Sequence, residues 1–235
     1  VVECGWVPGA FGRSRVTGSV ICLMVGRFTG RWPDFAGDMV VESLDVPEPV
    51  LATIEPMARC ISTRAVQERL PVRRRTLHKG EAGHLVIIGG DVSMAGAVQL
   101  AGTAALRTGA GLVTIAGPRS QIDTISRSQP ELMCHPVEDQ LSLETVLAGK
   151  TAVVVGPGLG QSEWGFEMLS GVLASGLPGV VDADALNLLA HTPRQNGQMT
   201  LPTHPGEASR PLNTALAAIP HPRRVLPTQA APNTI

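Results

Sequence analysis

The stretch HLVIIGGDVSMAGAVQLAGTAALRTGAGLVTIA, residues 84–116, decides the fold of this chain. Residues 84–88 form a short apolar run that ends in two glycines, as expected of a strand buried on both faces. Residues 97–108 are rich in helix formers, and Gly109 stands where a left-handed C-cap is wanted. Residues 112–116 supply a second apolar strand, so the stretch predicts a right-handed βαβ unit.

The same order of strand, loop and helix recurs further along the chain. Three more strands are predicted, at residues 151–155 (TAVVV), 179–182 and 198–202. Amphipathic or helix-forming segments follow the first two of them, at residues 163–174 and 183–190. The pattern predicts an α/β fold, with a parallel sheet and helices on both faces. Loops that leave the carboxyl ends of such strands form the edge where ligands bind.

Two glycine-rich loops are expected at this edge. One contains Gly89, Gly90 and Gly96, and the other contains Gly156, Gly158 and Gly160. Neither loop has the GxGxxG spacing or a following GK[ST], so the dinucleotide fingerprint and the Walker A loop are both excluded. Each loop alone is explained as well by tight-turn chemistry as by bare amides that receive an anion. Two such loops on one edge favour a shared anionic or nucleotide-like ligand.

Four polar residues follow the later strands. Asp184 and Asn187 are spaced to share one face of a helix, and Asp184 is equally suited to cap that helix or to bind a ligand or hydrated magnesium. His204 and Glu207 follow the last predicted strand. We expect His204 to contact substrate through a hydrogen bond rather than to act as a base.

Composition excludes several classes of protein. The formal net charge is −1, so no overall field favours nucleic acid or an anionic membrane. Cysteines 4, 22, 60 and 134 lie far apart without a CxxC pair, which predicts neither a zinc site nor a disulfide scaffold. The apolar run at residues 20–25 is too short to cross a bilayer. We therefore expect a cytoplasmic protein without a metal site of its own.

Five ordered blocks resemble the NAD(P)H-hydrate dehydratase family. They are HKGEAGHLVIIGGD, MAGAVQLAGTAALRTGAGLVTIA, VVVGPGLGQSEWG, VVDADALNLLA and LPTHPGEASR, between residues 78 and 210. The resemblance implies a ribokinase-like fold and an ADP- or ATP-dependent dehydration, with Mg²⁺, of hydrated NADH or NADPH (NADHX or NADPHX). It places Ala97, Gly160 and His204 against the hydrate, and it is compatible with a homo-oligomer.

The resemblance also divides the chain into three parts. Residues 1–70 contain GRFTGRWPDFAGDMVVESLDVPEPVL, which is similar to the closing segment of an NAD(P)H-hydrate epimerase domain. Residues 71–210 correspond to a partial dehydratase domain, so the sheet is expected to be incomplete at its C-terminal side. Residues 211–235 diverge into a Pro- and Arg-containing tail without periodicity, for which we expect disorder.

The family's Gly-Met-Gly-Asp motif, which carries its catalytic aspartate, does not occur in these 235 residues. No catalytic residue is therefore assigned, and we expect a truncated gene product with impaired activity. Two alternatives remain at the level of sequence. One is a non-catalytic nucleotide-binding remnant, and the other is a different ribokinase-like enzyme, such as a vitamin-precursor kinase.

Overall fold

The computed structural model describes residues 13–28, 32–54, 61–70, 72–191, 198–202 and 225–227. The chain divides into two compact units. The first comprises residues 1–73 with 220–222, and the second comprises residues 74–219 with 223–235. His204, Glu207 and most of the predicted tail lie outside the described residues.

The first unit contains a small two-stranded sheet. Strands β1 (Val16–Val20) and β2 (Asp38–Glu42) run parallel, with Val16 opposite Asp38. Three short helices accompany them: α1 (Pro33–Ala36), α2 (Glu48–Leu51) and α3 (Thr63–Arg69). Large apolar side chains of both strands remain exposed, among them Val16 and Val40. The likeness of this region to an epimerase tail stays a prediction.

The second unit contains a seven-stranded sheet in the order β5-β4-β3-β6-β7-β8-β9. The strands are β3 (His84–Ile88), β4 (Leu112–Gly117), β5 (Met133–Pro136), β6 (Ala152–Val155), β7 (Gly179–Val181), β8 (Met199–Pro202) and β9 (Val225–Pro227). The helices are α4 (Ala95–Thr108), α5 (Arg119–Ser128), α6 (Gln140–Leu147), α7 (Glu163–Ala174) and α8 (Asp184–His191). Strands β3 to β8 are all paired in parallel.

The predicted βαβ unit is confirmed. Strand β3 pairs in parallel with β4 from His84 opposite Leu112, and α4 joins the two strands. Gly109 ends α4 in the left-handed conformation, at φ 111°, and its N–H donates to the carbonyls of Ala105 and Leu106. Helix α4 begins at Ala95, slightly before its predicted start.

Helices cover both faces of the sheet, as predicted. Val86 and Ile88 of β3 belong to one buried cluster, which includes apolar side chains of α6, α7 and α8. Ile87 points to the opposite face, where it joins Val98 of α4 and Ile125 of α5 in a second cluster. All five side chains are almost completely buried. Burial of one such side chain contributes about 1.5–3 kcal/mol, so β3 is a centre of the fold.

The segment between β4 and β6 forms α5, β5 and α6, none of which was predicted from the sequence. Strand β5 (MCHP) has no continuous apolar run and ends in Pro136. This composition suits an edge strand, because an edge strand needs ladder hydrogen bonds on one side only. Asp139 marks the start of α6, where its carboxylate accepts a hydrogen bond from the Ser142 amide at 2.8 Å.

Val225–Pro227 are the described residues of the predicted tail, and the disorder expected of that tail stays a prediction. These three residues form β9, which pairs antiparallel with β8, and Leu226 lies opposite Leu201. The edge of β8 carries backbone donors and acceptors that need partners, and a short extended segment supplies them without any periodic pattern of its own. Three residues are too few for a period-2 pattern to show.

Candidate functional site

The loops that follow β3 and β6 are joined main chain to main chain. The Gly90 amide donates to the Pro157 carbonyl at 3.1 Å, and the Asp91 amide donates to the Gly158 carbonyl at 2.7 Å. The Gly156 amide in turn donates to the carbonyl of Ile88, the last residue of β3, at 3.1 Å. The two glycine-rich loops therefore form one continuous edge, as the sequence predicts.

Gly158 permits this close approach. Its φ is +58°, and a Cβ at this position would lie 2.7 Å from the Cβ of Met94 and 3.2 Å from the Cβ of Ala97. Any side chain would collide with the start of α4 and would also be strained in the left-handed region. Glycine at position 158 thus lets the second loop rest on the first turn of α4.

Asp184 ties a third loop to the same edge. Its Oδ2 accepts a hydrogen bond from the Gly160 amide at 3.0 Å. The sequence left this carboxylate between helix capping and ligand binding; the structure adds its hydrogen bond to the glycine-rich loop, and a ligand contact of Asp184 stays a prediction. Asn187 lies one turn further along α8 and is half-buried. Its backbone N–H donates to the Ala183 carbonyl.

Most amides of the glycine-rich loops are engaged within the protein. The bonded amides include those of Gly89, Gly90, Asp91, Gly156, Leu159 and Gly160. These six amides already donate to protein oxygens, so an anion at these loops would need other donors, and anion binding at this edge stays a prediction. Helix α4 differs, since Met94 supplies no side-chain cap to its first turn. Gly96 in that turn is exposed and faces open space.

The structure brings two of the three proposed hydrate contacts to one edge. Ala97 lies in the first turn of α4 against Gly158, and Gly160 follows two residues later in the same loop. The third contact, His204, and the rim residue Glu207 lie outside the described residues. The common placement of Ala97 and Gly160 supports a single binding region.

Two further residues of this edge received no role from the sequence. Asp91 accepts a hydrogen bond from the Val92 amide through Oδ1 at 2.7 Å, and its Oδ2 lies 3.4 Å from the Ser162 Oγ. Ser162 caps α7 by accepting from the Gly165 amide at 3.3 Å. A serine directly before a helical segment signals the cap. No local pattern reveals that Asp91 reaches across to it.

The histidine with a perturbed pKa lies away from this edge. Burial lowers the pKa of His84, and Lys150 and His135 lower it further by repulsion of the charged form. Its Nε2 lies 2.8 Å from Oγ1 of Thr114. His84 begins β3, at the amino end of the strand, so it belongs to the packing of the sheet rather than to the glycine-rich loops.

The described part of the chain contains no group of three or more His, Cys, Asp or Glu side chains that could hold a metal ion. Within the same part, no helix is both long and apolar enough to cross a membrane. A cavity of about 400 Å³ lies between α6 and α7, lined among others by Gln140, Glu144, Lys150 and Ser175. Its lining includes Lys150 and Leu177, which lie shortly before β6 and β7, and includes no residue of the glycine-rich loops.

The largely parallel α/β sheet, with interlocked glycine-rich loops at its carboxyl edge, has the fold of the ribokinase-like class. A ribokinase-like superfamily protein from Enterococcus faecalis shares this fold, with a TM-score of 0.58 over 62% of this chain and 54% of that structure, at 24% identity. Residues 85–225 match the NAD(P)H-hydrate dehydratase family. The chain belongs to this family.

Two relatives are closer in sequence. The bifunctional NAD(P)H-hydrate repair enzyme Nnr of Coxiella burnetii is 40% identical over 209 residues, which cover 89% of this chain and 43% of that protein. The ADP/ATP-dependent NAD(P)H-hydrate dehydratase of Bacillus subtilis, co-crystallized with ATP/Mg²⁺, is 29% identical, with a TM-score of 0.57 over 66% of this chain and 56% of that structure. The chain thus spans less than half of its curated relative.

Proposed function

We propose that the second unit binds a hydrated nicotinamide dinucleotide, NADHX or NADPHX, at the carboxyl edge of β3, β6 and β7. The observation that carries the proposal is that Ala97 packs against Gly158, two residues before Gly160 in the same loop. Family resemblance assigns both residues to the hydrate, although they lie on different elements. Their common place on an edge typical of ligand binding in α/β proteins supports the assignment.

The proposed reaction is a dehydration of the nicotinamide ring that depends on ADP or ATP, with Mg²⁺. The ring hydroxyl takes a phosphoryl group from the nucleotide and releases its proton. Phosphate then leaves with the former hydroxyl oxygen while the adjacent ring carbon loses a proton, and the double bond formed between these carbons restores the dihydronicotinamide. Phosphoryl transfer depends mainly on positioning and charge neutralisation. Loops that are hydrogen-bonded to one another before ligand arrives supply positioning, because little order remains to be created upon binding.

These 235 residues lack the Gly-Met-Gly-Asp motif, so the proposal separates binding from turnover. We expect the hydrate to bind at the described edge, while dehydration is slow without the aspartate that the family uses. Removal of a single catalytic group typically reduces a rate by about 10²- to 10⁴-fold. We also propose that the protein acts in the cytoplasm and that it forms a homo-oligomer.

The experiment combines two measurements on the purified chain. Calorimetry with NADPHX and with ADP reports binding, and the absorbance of reduced nicotinamide after addition of ADP and Mg²⁺ reports turnover. We expect saturable binding of NADPHX with turnover at least about 100-fold below that of the Bacillus subtilis enzyme. Absence of hydrate binding would reject the site, and full turnover would reject the need for the missing motif.

A further inference from the structure

Gly160 is enclosed by protein on three sides. Its amide donates to Asp184 Oδ2 at 3.0 Å. A Cβ at position 160 would lie 2.8 Å from Oδ2 of Asp91, so that carboxylate occupies the side where a side chain would project. The Gly160 carbonyl oxygen lies 3.0 Å from the position of a Cβ on Gly165, against the first turn of α7. A ligand beside Gly160 therefore has to form its polar contact with a neighbouring residue rather than with Gly160 itself.

Asp91 is the neighbour that fits this requirement. Its amide is bonded to the Gly158 carbonyl, and its Oδ1 accepts from the Val92 amide, so the side chain is fixed in place. Among the described residues, the one contact of its Oδ2 is a long one of 3.4 Å with the hydroxyl of Ser162. A carboxylate oxygen can accept two hydrogen bonds, so Oδ2 retains capacity for a donor from a ligand.

The local charge decides which part of a ligand fits. Asp91 and Asp184 lie on two sides of Gly160, and neither forms an ion pair with another described residue. A phosphate placed there would face two carboxylates, which is unfavourable for like charges. An uncharged donor, such as a hydroxyl or a carboxamide N–H, would instead form a charge-assisted hydrogen bond.

We propose that Asp91 is a substrate-binding residue whose Oδ2 accepts a hydrogen bond from an uncharged donor on the nicotinamide end of the dinucleotide. The inference rests on the proposed function, since the contact at Gly160 comes from the family resemblance. It goes further by assigning the nicotinamide end, rather than the phosphates, to the space between Asp91 and Gly160.

The test pairs ligands that differ in one donor. In the hydroxyl arm, calorimetry compares NADPHX with NADPH; in the carboxamide arm, it compares NADPH with its reduced 3-acetylpyridine analogue, which lacks the N–H. The proteins are the wild-type chain, Asp91→Ala, Asp91→Asn and the matched control Asp123→Asn, which removes an exposed charge on α5. Asp91→Asn keeps an oxygen for the Val92 amide, and urea unfolding verifies that each variant is folded.

In at least one arm, we expect the wild type and Asp123→Asn to bind the ligand with the donor about 10-fold more tightly, as befits a hydrogen bond to a charged group. Asp91→Ala should bind both members of that pair within about twofold, with Asp91→Asn between the two. If Asp91→Ala discriminates as the wild type does, or if the wild type discriminates in neither arm, the role of Asp91 is wrong. If the wild type binds none of the dinucleotides, the proposed function fails together with it.

Discussion

Gly156 illustrates how single residues fix the geometry of the carboxyl edge. It follows β6 directly, its φ is +129°, and its amide bonds to the last residue of β3. A Cβ at this position would lie 1.8 Å from the carbonyl oxygen of Asp182, the residue that follows β7. Glycine here lets the ends of three neighbouring strands come together, so this residue supports the geometry of the edge.

Gly156→Ala is therefore expected to destabilise the second unit by about 3 kcal/mol or more, because the added methyl group collides with main chain that cannot move independently. Urea unfolding measures the loss. Gly176→Ala is the matched control, since Gly176 also has a positive φ, +70°, but faces open space. It should cost only the left-handed penalty of about 1–2 kcal/mol. Equal losses for both variants would contradict the collision.

At this scale, the sequence shows where glycines occur but not what they touch. The alternation of Gly156, Gly158 and Gly160 predicted a glycine-rich loop at this edge, and the structure confirms the loop. The partners of the loop come from elements that are distant in sequence. Asp184 bonds to Gly160 from the start of α8, and Asp91 reaches Ser162 from another loop. Local patterns carry no information on such pairings.

At the scale of elements, local signals predicted five strands of the large sheet and missed β5 and β9, which lie at its two edges. Strand β3 carries three consecutive buried residues, Val86 to Ile88, and was identified together with α4 and β4. Strand β5 is short and half-buried, and α6 is marked mainly by its cap. The difference is physical, because a central strand must be apolar on both faces whereas an edge strand need not be.

The cap of α6 gives a pH-dependent prediction. The pKa of Asp139 is lowered, first by the hydrogen bond from the Ser142 amide and then by that from the Ser142 hydroxyl. Because the pKa of Asp139 is lower in the folded state than its unfolded value of 3.8, the ionised carboxylate stabilises the fold at pH values above 3.8. This contribution is lost as the pH falls through the folded-state pKa. Asp139→Asn should therefore lower the Tm at pH 7.

The measurement is the Tm of the wild type and of Asp139→Asn in a series of buffers from neutral to acidic pH. The difference between the two proteins should be greatest at neutral pH and should shrink once the pH drops below about 4, where the wild-type carboxylate becomes protonated. Asp123→Asn, at an exposed position of helix α5, controls for the general loss of one negative charge. A difference that stays constant throughout the series would show that the charge of Asp139 does not stabilise the cap.

At the scale of the whole molecule, the described residues of the second unit include two candidate places for a ligand. One is the carboxyl edge, built from the loops after β3, β6 and β7. The other is the cavity between α6 and α7, whose lining includes Lys150 and Leu177, shortly before β6 and β7. The cavity contains neither of the described residues that the family resemblance assigns to the hydrate. We therefore expect the ligand to bind at the carboxyl edge.

Amide NMR of the chain during titration with NADPH tests this placement most directly. We expect chemical-shift changes for Ala97, for the loop at residues 158–162 and for Asp91. The amides around Glu144 and Lys150, which line the cavity, should not change. Saturable changes confined to the cavity residues, with the glycine-rich loops unaffected, would contradict it.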